Sequence, residues 1–181
     1  MTTTATYYGG GFAALVIIMK NIFPWLVGAV LFGTPALSEN VVVDLSQGMS
    51  HEVNQLTDPT ATAATGMFRF DPPLVELGTG DAIVFLNSRG QHTVHSVSQL
   101  WGEGMAPVSI SNKRRVEVRF DEPGVYGLRC NRHGQYGMAM LVVVGDGGGI
   151  TSIEENLSTM KAGKREKQAF RDLFELSLAG H

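Results

Sequence analysis

The 181-residue sequence has one cysteine, little charge and no block of five consecutive basic residues. The single Cys130 excludes an intramolecular disulfide, which leaves an inert buried thiol, a bridge between chains or a chemical role. The formal net charge is −3, and the longest run of basic residues has only three members, residues 113–115. Both observations argue against nucleic-acid binding, which uses a strongly basic face. With 44% hydrophobic and 17% charged residues, the composition is typical of a globular protein with one main core.

The amino-terminal segment has the pattern of an export signal. Residues 12–32 are almost continuously apolar and long enough to span a membrane, but Lys20 interrupts them. The basic residue, the apolar stretch after it and the small residues leading to Ser38 are typical of a signal peptide. We therefore predict that residues 1–38 are a leader, removed so that a mature chain without stable membrane association begins at Glu39. An uncleaved membrane anchor is the alternative.

The central part of the chain reads as β-structure. Residues 82–86 form a short apolar run, and residues 115–120 alternate apolar and charged side chains, the period of a half-buried strand. Seven such short segments, separated by turns rather than helices, predict an all-β, antiparallel Greek-key sandwich over residues 39–147. Residues 46–65 are polar and lack periodicity, so we expect a long surface loop containing a solvated His51.

The composition changes after Gly145, where helical patterns replace strand patterns. Ser152 and Glu155 fit a capping box for a short helix ending at Gly163, and residues 164–179 carry an apolar stripe. We predict that residues 148–181 form a C-terminal helical extension packed on the sandwich.

A ligand motif lies on the turn that follows a predicted strand. Cys130, His133 and Met138 offer a thiolate, an imidazole and a thioether, a soft donor set that selects copper over magnesium, calcium or manganese. A second imidazole would complete the set of blue-copper centres. His92 and His95 are the candidates, because the other two histidines lie in loose segments. Three residues apart on an extended segment, only one of the pair faces the metal.

At these motifs the sequence resembles the pseudoazurins, small cupredoxins of the plastocyanin and azurin group. The resemblance covers about residues 67–178 and rests on FDPPLVELGTGDAIVF, QHTVHSV and FDEPGVYGLRCNRHGQYGM. It implies one type 1 copper ion held by the ligands His92, Cys130, His133 and Met138. It also implies that the ring edge of His133 reaches the surface as the electron port, within a flat partner-docking patch that includes Gly90 and Gly134.

The function that the resemblance implies is electron transfer in the periplasm, not catalysis. The expected partners are redox proteins, a copper nitrite reductase or a cytochrome. A copper-delivery or copper-sensing cupredoxin is the alternative, although the methionines are dispersed rather than clustered. A copper enzyme would need further centres, and the sequence has no His-x-His pair or His-Cys-His motif. A structural zinc site is disfavoured because methionine is a poor zinc ligand.

The sequence departs from the family pattern in several places, among them Gly134 and Tyr136, which alter the loop that shapes the exposed surface. Thr93 replaces an asparagine whose side chain ties the two ligand loops together, Arg132 replaces a proline, and residues 50–66 resemble an insertion. These changes leave the ligand count intact but alter the surroundings of the site.

Overall fold

The computed structural model describes residues 48–102 and 104–180, so the predicted leader and the valine-rich segment 41–45 lie outside the described residues. Two β-sheets pack together, and two helices follow them in the chain. The strands are β1 (Ser50–Thr57), β2 (Phe68–Asp71), β3 (Leu74–Leu77), β4 (Ala82–Ser88), β5 (Val94–Ser96), β6 (Ser109–Ile110), β7 (Lys113–Arg119), β8 (Gly124–Arg129) and β9 (Ala139–Val144). The helices are α1 (Glu154–Thr159) and α2 (Lys164–Ala179).

The sheet topology confirms the predicted β-sandwich with two C-terminal helices. One sheet has the order β2-β1-β4-β7, and the other has the order β3-β9-β8-β5-β6. The β1–β4 and β3–β9 pairs are parallel, where we expected antiparallel pairing, and the remaining pairs are antiparallel. The chain thus crosses between the sheets instead of running as a simple meander.

Strand β9 separates two apolar cores, because it is buried on both faces. Its alternate residues Met140, Val142 and Val144 point into the core between the sheets. The intervening residues Ala139, Leu141 and Val143 join the helices in a second core. The strand that leads out of the ligand motif is therefore fixed from both sides.

The helical layer covers the outer face of the β8–β9 pair. Phe170 and Phe174 of α2 are buried against it, and Gly127 of β8 leaves the space that the Phe170 ring occupies. Helix α1 begins at Glu154 with Ile153 as its N-cap, so the predicted capping box of Ser152 and Glu155 is wrong; the Ser152 hydroxyl instead accepts a hydrogen bond from the amide of Glu154 at 3.3 Å. It ends at Thr159, before the predicted end at Gly163.

The prediction of a loop over residues 46–65 is wrong for residues 50–57, which form β1. This strand lies between β2 and β4 and buries Val53 together with the polar Gln55. The side-chain Nε2 of Gln55 donates to the hydroxyl of Ser88 and the carbonyl of Leu86, while its buried Oε1 has no hydrogen-bond partner among the described residues. The segment that resembled an insertion therefore supplies an internal strand of the first sheet.

No helix within residues 48–102 and 104–180 has the length and hydrophobicity needed to cross a membrane.

Candidate metal centre

Two loops at one end of the sandwich carry the predicted ligands. His92 lies in the connection between β4 and β5, whereas Cys130, His133 and Met138 lie in the connection between β8 and β9. Since β5 and β8 are neighbouring strands of the same sheet, their ends bring the two loops together.

Backbone hydrogen bonds fold the β8–β9 connection into a tight turn, here called the ligand loop (residues 130–138). The amide of Gly134 donates to the carbonyl of Cys130 at 2.7 Å, and the amide of Met138 donates to that of His133 at 3.1 Å. A further bond from the Cys130 amide to the Met138 carbonyl closes the loop at 3.2 Å. Gly137 has φ of 93°, a left-handed conformation that favours glycine. The loop geometry is thus set by the backbone as well as by the side chains.

Three of the four predicted ligands converge. One donor atom each from His92, Cys130 and His133 lies within 4.8 Å of the other two. The Cys130 sulfur is 3.8 Å from Nδ1 of His133. All three residues are buried, as is Met138, whose side chain belongs to the same apolar cluster as Cys130. The arrangement is a buried cluster of imidazole and sulfur donors beside the apolar core.

The hydrogen bonds of His92 leave one ring nitrogen ready for a metal. Its Nε2 lies 2.8 Å from the hydroxyl of Thr57, while its buried Nδ1 has no hydrogen-bond partner within the described chain. An imidazole that donates through one nitrogen and presents the lone pair of the other is the usual state of a metal-ligating histidine. The residues present therefore fit a copper ion.

Electrostatics also favours ligation by both imidazoles. Burial lowers the pKa of His92 below its ordinary value of 6.5. Burial lowers the pKa of His133 as well, assisted by the neighbouring His92 and Arg132. Both rings are consequently neutral at pH 7, and a neutral imidazole is the form that binds metal.

The hydroxyl of Thr93 links the connection between β4 and β5 to the ligand loop. Its Oγ1 accepts a hydrogen bond from the Asn131 amide at 3.1 Å and lies 3.8 Å from the Cys130 sulfur. The carbonyl of Gln91 approaches the same sulfur at 3.7 Å. The threonine thus makes the link between loops for which the family pattern has asparagine.

Aromatic rings cover His133, contrary to the expectation that its edge is exposed. The ring of Phe68 stacks on it with a centroid distance of 3.7 Å and an interplanar angle of 2°, and the ring of Tyr136 lies 6.4 Å away. Only 5% of His133 is accessible to solvent. The outermost groups over this imidazole are therefore Phe68 and the exposed Tyr136.

The two glycines predicted to line the docking patch differ in exposure. Gly90 is exposed, and its φ of 67° suits the turn that precedes His92. Gly134 is buried beneath Glu166, so the prediction that it contributes contact surface is wrong.

The remaining histidines stand apart from this cluster. His95 lies on β5 opposite Arg129 and is not among the converging donors. His51 lies on β1, with its Nε2 3.7 Å from a carboxylate oxygen of Asp81, and is half-buried rather than solvated in a loop. His181 lies outside the described residues.

Sequence reasoning missed Thr57 and Phe68, which contact the two imidazoles. They face each other as a cross-strand pair where β1 meets β2. Neither residue belongs to a local sequence motif. Because residues 46–65 were predicted as a loop, the pairing of β1 with β2 that brings both residues to the site could not be predicted.

Known proteins with similar sequences and structures are copper proteins. Residues 57–145 match the family of copper binding proteins described as plastocyanin/azurin. Pseudoazurin of Paracoccus pantotrophus is 31% identical over 130 residues, which cover 72% of this chain and 82% of that protein. Pseudoazurin of Methylorubrum extorquens is 42% identical over 81 residues, but the match covers only 45% of this chain and 55% of the relative. The crystal structure of pseudoazurin from Methylobacterium extorquens AM1 superposes with a TM-score of 0.58 at 31% identity, covering 71% of this chain and 98% of that one.

Proposed function

Because the chain belongs to the pseudoazurin group within the plastocyanin/azurin family of copper-binding proteins, we propose that it carries single electrons between redox proteins. The observation that supports the proposal best is the buried cluster of His92, Cys130 and His133, whose donor atoms lie within 4.8 Å of one another. A type 1 copper ion is the cofactor that matches this donor set.

In this proposal His92, Cys130, His133 and Met138 would hold the ion, and their sulfur and imidazole donors suit copper. When bound, copper supplies a reversible one-electron change between Cu(I) and Cu(II). The protein has to hold one geometry for both states, since movement of the ligands at each transfer slows the reaction. Thr57 fixes the ring of His92, Phe68 fixes the ring of His133, and the hydrogen bonds of the ligand loop fix the separation between Cys130 and Met138.

The burial of the donors favours a carrier over an enzyme. The four side chains are between 0% and 8% exposed, so no open position faces a substrate. An electron needs only short-range contact with a partner protein, whereas a substrate needs direct access to the ion.

The exchange surface in this proposal lies over His133. Phe68 and Tyr136 form its centre, and the exposed Gly90 lies in the neighbouring loop that carries His92. A small patch of this kind suits the brief, low-area encounters of electron-transfer proteins. A copper nitrite reductase or a cytochrome in the periplasm is the partner that the family resemblance favours, and the leader predicted over residues 1–38 supports that compartment.

Addition of Cu(II) to the purified apoprotein tests the function directly. We expect an intense blue colour, from bonding between the Cys130 thiolate and copper, that ascorbate reversibly bleaches. Cys130→Ser should abolish the colour, whereas His95→Ala should keep it because His95 lies outside the donor cluster. A colourless product from the unmodified protein would refute the proposal.

A further inference from the structure

Helix α2 reaches the ligand loop through a buried carboxylate. Glu166, in the first turn of the helix, is only 4% exposed. Its Oε1 lies 3.2 Å from Nη1 of Arg129, the residue immediately before the ligand Cys130. A buried carboxylate is costly unless a cation pairs with it, so this contact fixes the side chain in one place.

The same carboxylate fills the space behind the residue that follows His133. A Cβ atom placed on Gly134 would lie 3.0 Å from Oε1 of Glu166 and 3.1 Å from its Cδ. Gly134 has a negative φ, so the close approach of the carboxylate, rather than backbone conformation, disfavours a side chain there. Glu166 thus contacts the chain on both sides of the Cys130–His133 segment.

A second glycine of the ligand loop also packs on α2. A Cβ atom on Gly137, the residue before Met138, would lie 3.4 Å from Cγ of Arg165 and 3.9 Å from Cβ of Ala169. The first turns of α2 therefore support the loop at Gly134 and at Gly137, next to two predicted ligands.

We propose that Glu166 is a positioning residue for the metal centre, acting through Arg129 and Gly134 to hold His133 where it binds copper. This inference rests on the proposed copper-carrier function. The carboxylate does not touch the ion. It limits the movement of the ligand loop in both oxidation states, and in the metal-free protein it keeps the site in its binding geometry.

Hydrogen exchange in the metal-free protein, with and without Glu166→Ala, tests the proposal. We expect exchange at the amides of Gly134 and Met138 to become about tenfold faster, the factor expected when one hydrogen bond to a charged group is lost. Exchange at Val142 in β9 should change much less. The matched control is Glu154→Ala, which removes the exposed partner of Arg171 and so breaks an ion pair between α1 and α2 away from the loop. It should leave loop exchange unchanged.

The visible spectrum of the copper-loaded variants provides a second readout. Glu166→Ala should shift the copper–thiolate bands, while Glu154→Ala should not. Gly134→Ala should shift them in the natural background and have less effect beside Glu166→Ala, because the methyl group then enters vacated space. If Glu166→Ala does not fold, Glu166→Gln, which keeps the volume and one acceptor oxygen, replaces it and should produce a smaller change of the same kind.

Two results would overturn the proposal. One is equal acceleration of exchange at Gly134 and Val142, which would mean that Glu166 contributes only to global stability. The other is an effect of Gly134→Ala that is the same in both backgrounds. Absence of blue colour in the unmodified protein would contradict the carrier function instead, and the exchange measurements would still test the positioning role.

Discussion

At the scale of single residues, the site combines ligands that have a sequence signature with supporting residues that have none. Cys130, His133 and Met138 occur close together in the sequence, and their donor types indicate copper. Thr57 and Phe68 lie far from them in the chain yet contact the imidazoles. The predicted ligands can be recognised from their residue types and their spacing in the sequence. The residues that support them can be recognised only from tertiary contacts.

Replacement of the stacked ring tests how much Phe68 contributes. Phe68→Leu keeps an apolar side chain but removes an aromatic contact worth about 0.5–1.5 kcal/mol. With His133 less restrained, copper should pass to an excess of chelator about two- to twelvefold faster, measured by loss of the blue colour. The matched control is Phe120→Leu, which removes a ring that contacts Trp101 and Tyr126 instead of an imidazole. Equal release rates in Phe68→Leu and the unmodified protein would contradict this role.

At the scale of elements, the strands with a clear hydrophobic period were predictable and β1 was not. Residues 82–86 and 115–120 were identified as strands from apolar content and alternation; the first range lies within β4, and the second lies within β7 except for Phe120, which follows the end of that strand. In β1 one of the buried positions holds Gln55, whose side-chain Nε2 donates to Ser88 and Leu86 of the neighbouring strand. Because a polar residue occupies a buried position, the alternation of apolar and polar residues along β1 is interrupted. The strand therefore cannot be recognised from its own sequence.

Helix α2 was predictable because its apolar stripe is regular, and its bounds match the prediction of residues 164–179. Its contacts with the ligand loop were not predictable. Glu166 looks like an ordinary charged residue of a helix, and only the fold shows that it is buried beside Gly134. His92 was preferred to His95 as the partner of Cys130 for two reasons: it follows the turn at Gln91 whereas His95 lies inside an extended segment, and the resemblance favours the same residue.

The close contact between β8 and α2 makes a prediction at this scale. In Gly127→Ala the new Cβ would lie 2.8 Å from Cβ of Leu100 and 3.2 Å from Cε1 of Phe170. Overpacking of this kind should lower the free energy of unfolding by about 1–3 kcal/mol, measured by urea denaturation of the apoprotein. Gly180→Ala is the control, since its nearest neighbours would be 3.8 Å away and its φ of −83° suits alanine. Equal destabilisation by the two substitutions would contradict the explanation.

At the scale of the whole molecule, the metal centre depends on elements spread over most of the described chain. Strands β1 and β2 supply Thr57 and Phe68, the connections after β4 and β8 supply the donors, and α2 supplies Glu166. A site assembled from so many segments forms only when the sandwich and the helical layer are both folded. The donor atoms of His92, Cys130 and His133 lie within 4.8 Å of one another, so we expect the folded apoprotein to hold this arrangement before it binds a metal ion.

The proposed route of export makes a prediction about the mature protein. If residues 1–38 are a leader, mass spectrometry of the protein from the periplasmic fraction should find a chain that begins at Glu39. A chain that keeps residues 1–38 and sediments with membranes would instead support the uncleaved anchor. The cell fraction in which the chain is found also gives its compartment, the periplasm or the membrane.

Thr57 and Phe68 lie opposite each other on β1 and β2, and this arrangement has a consequence for protein engineering. Transplanting the segment from Cys130 to Met138 into another cupredoxin would move three donors but leave behind the hairpin that contacts both histidines. Such a chimaera would inherit the colour of this centre more readily than its resistance to copper loss. To transfer the contacts to both histidines and the support from Glu166, the graft would have to include the β1–β2 hairpin and helix α2 together with the ligand loop.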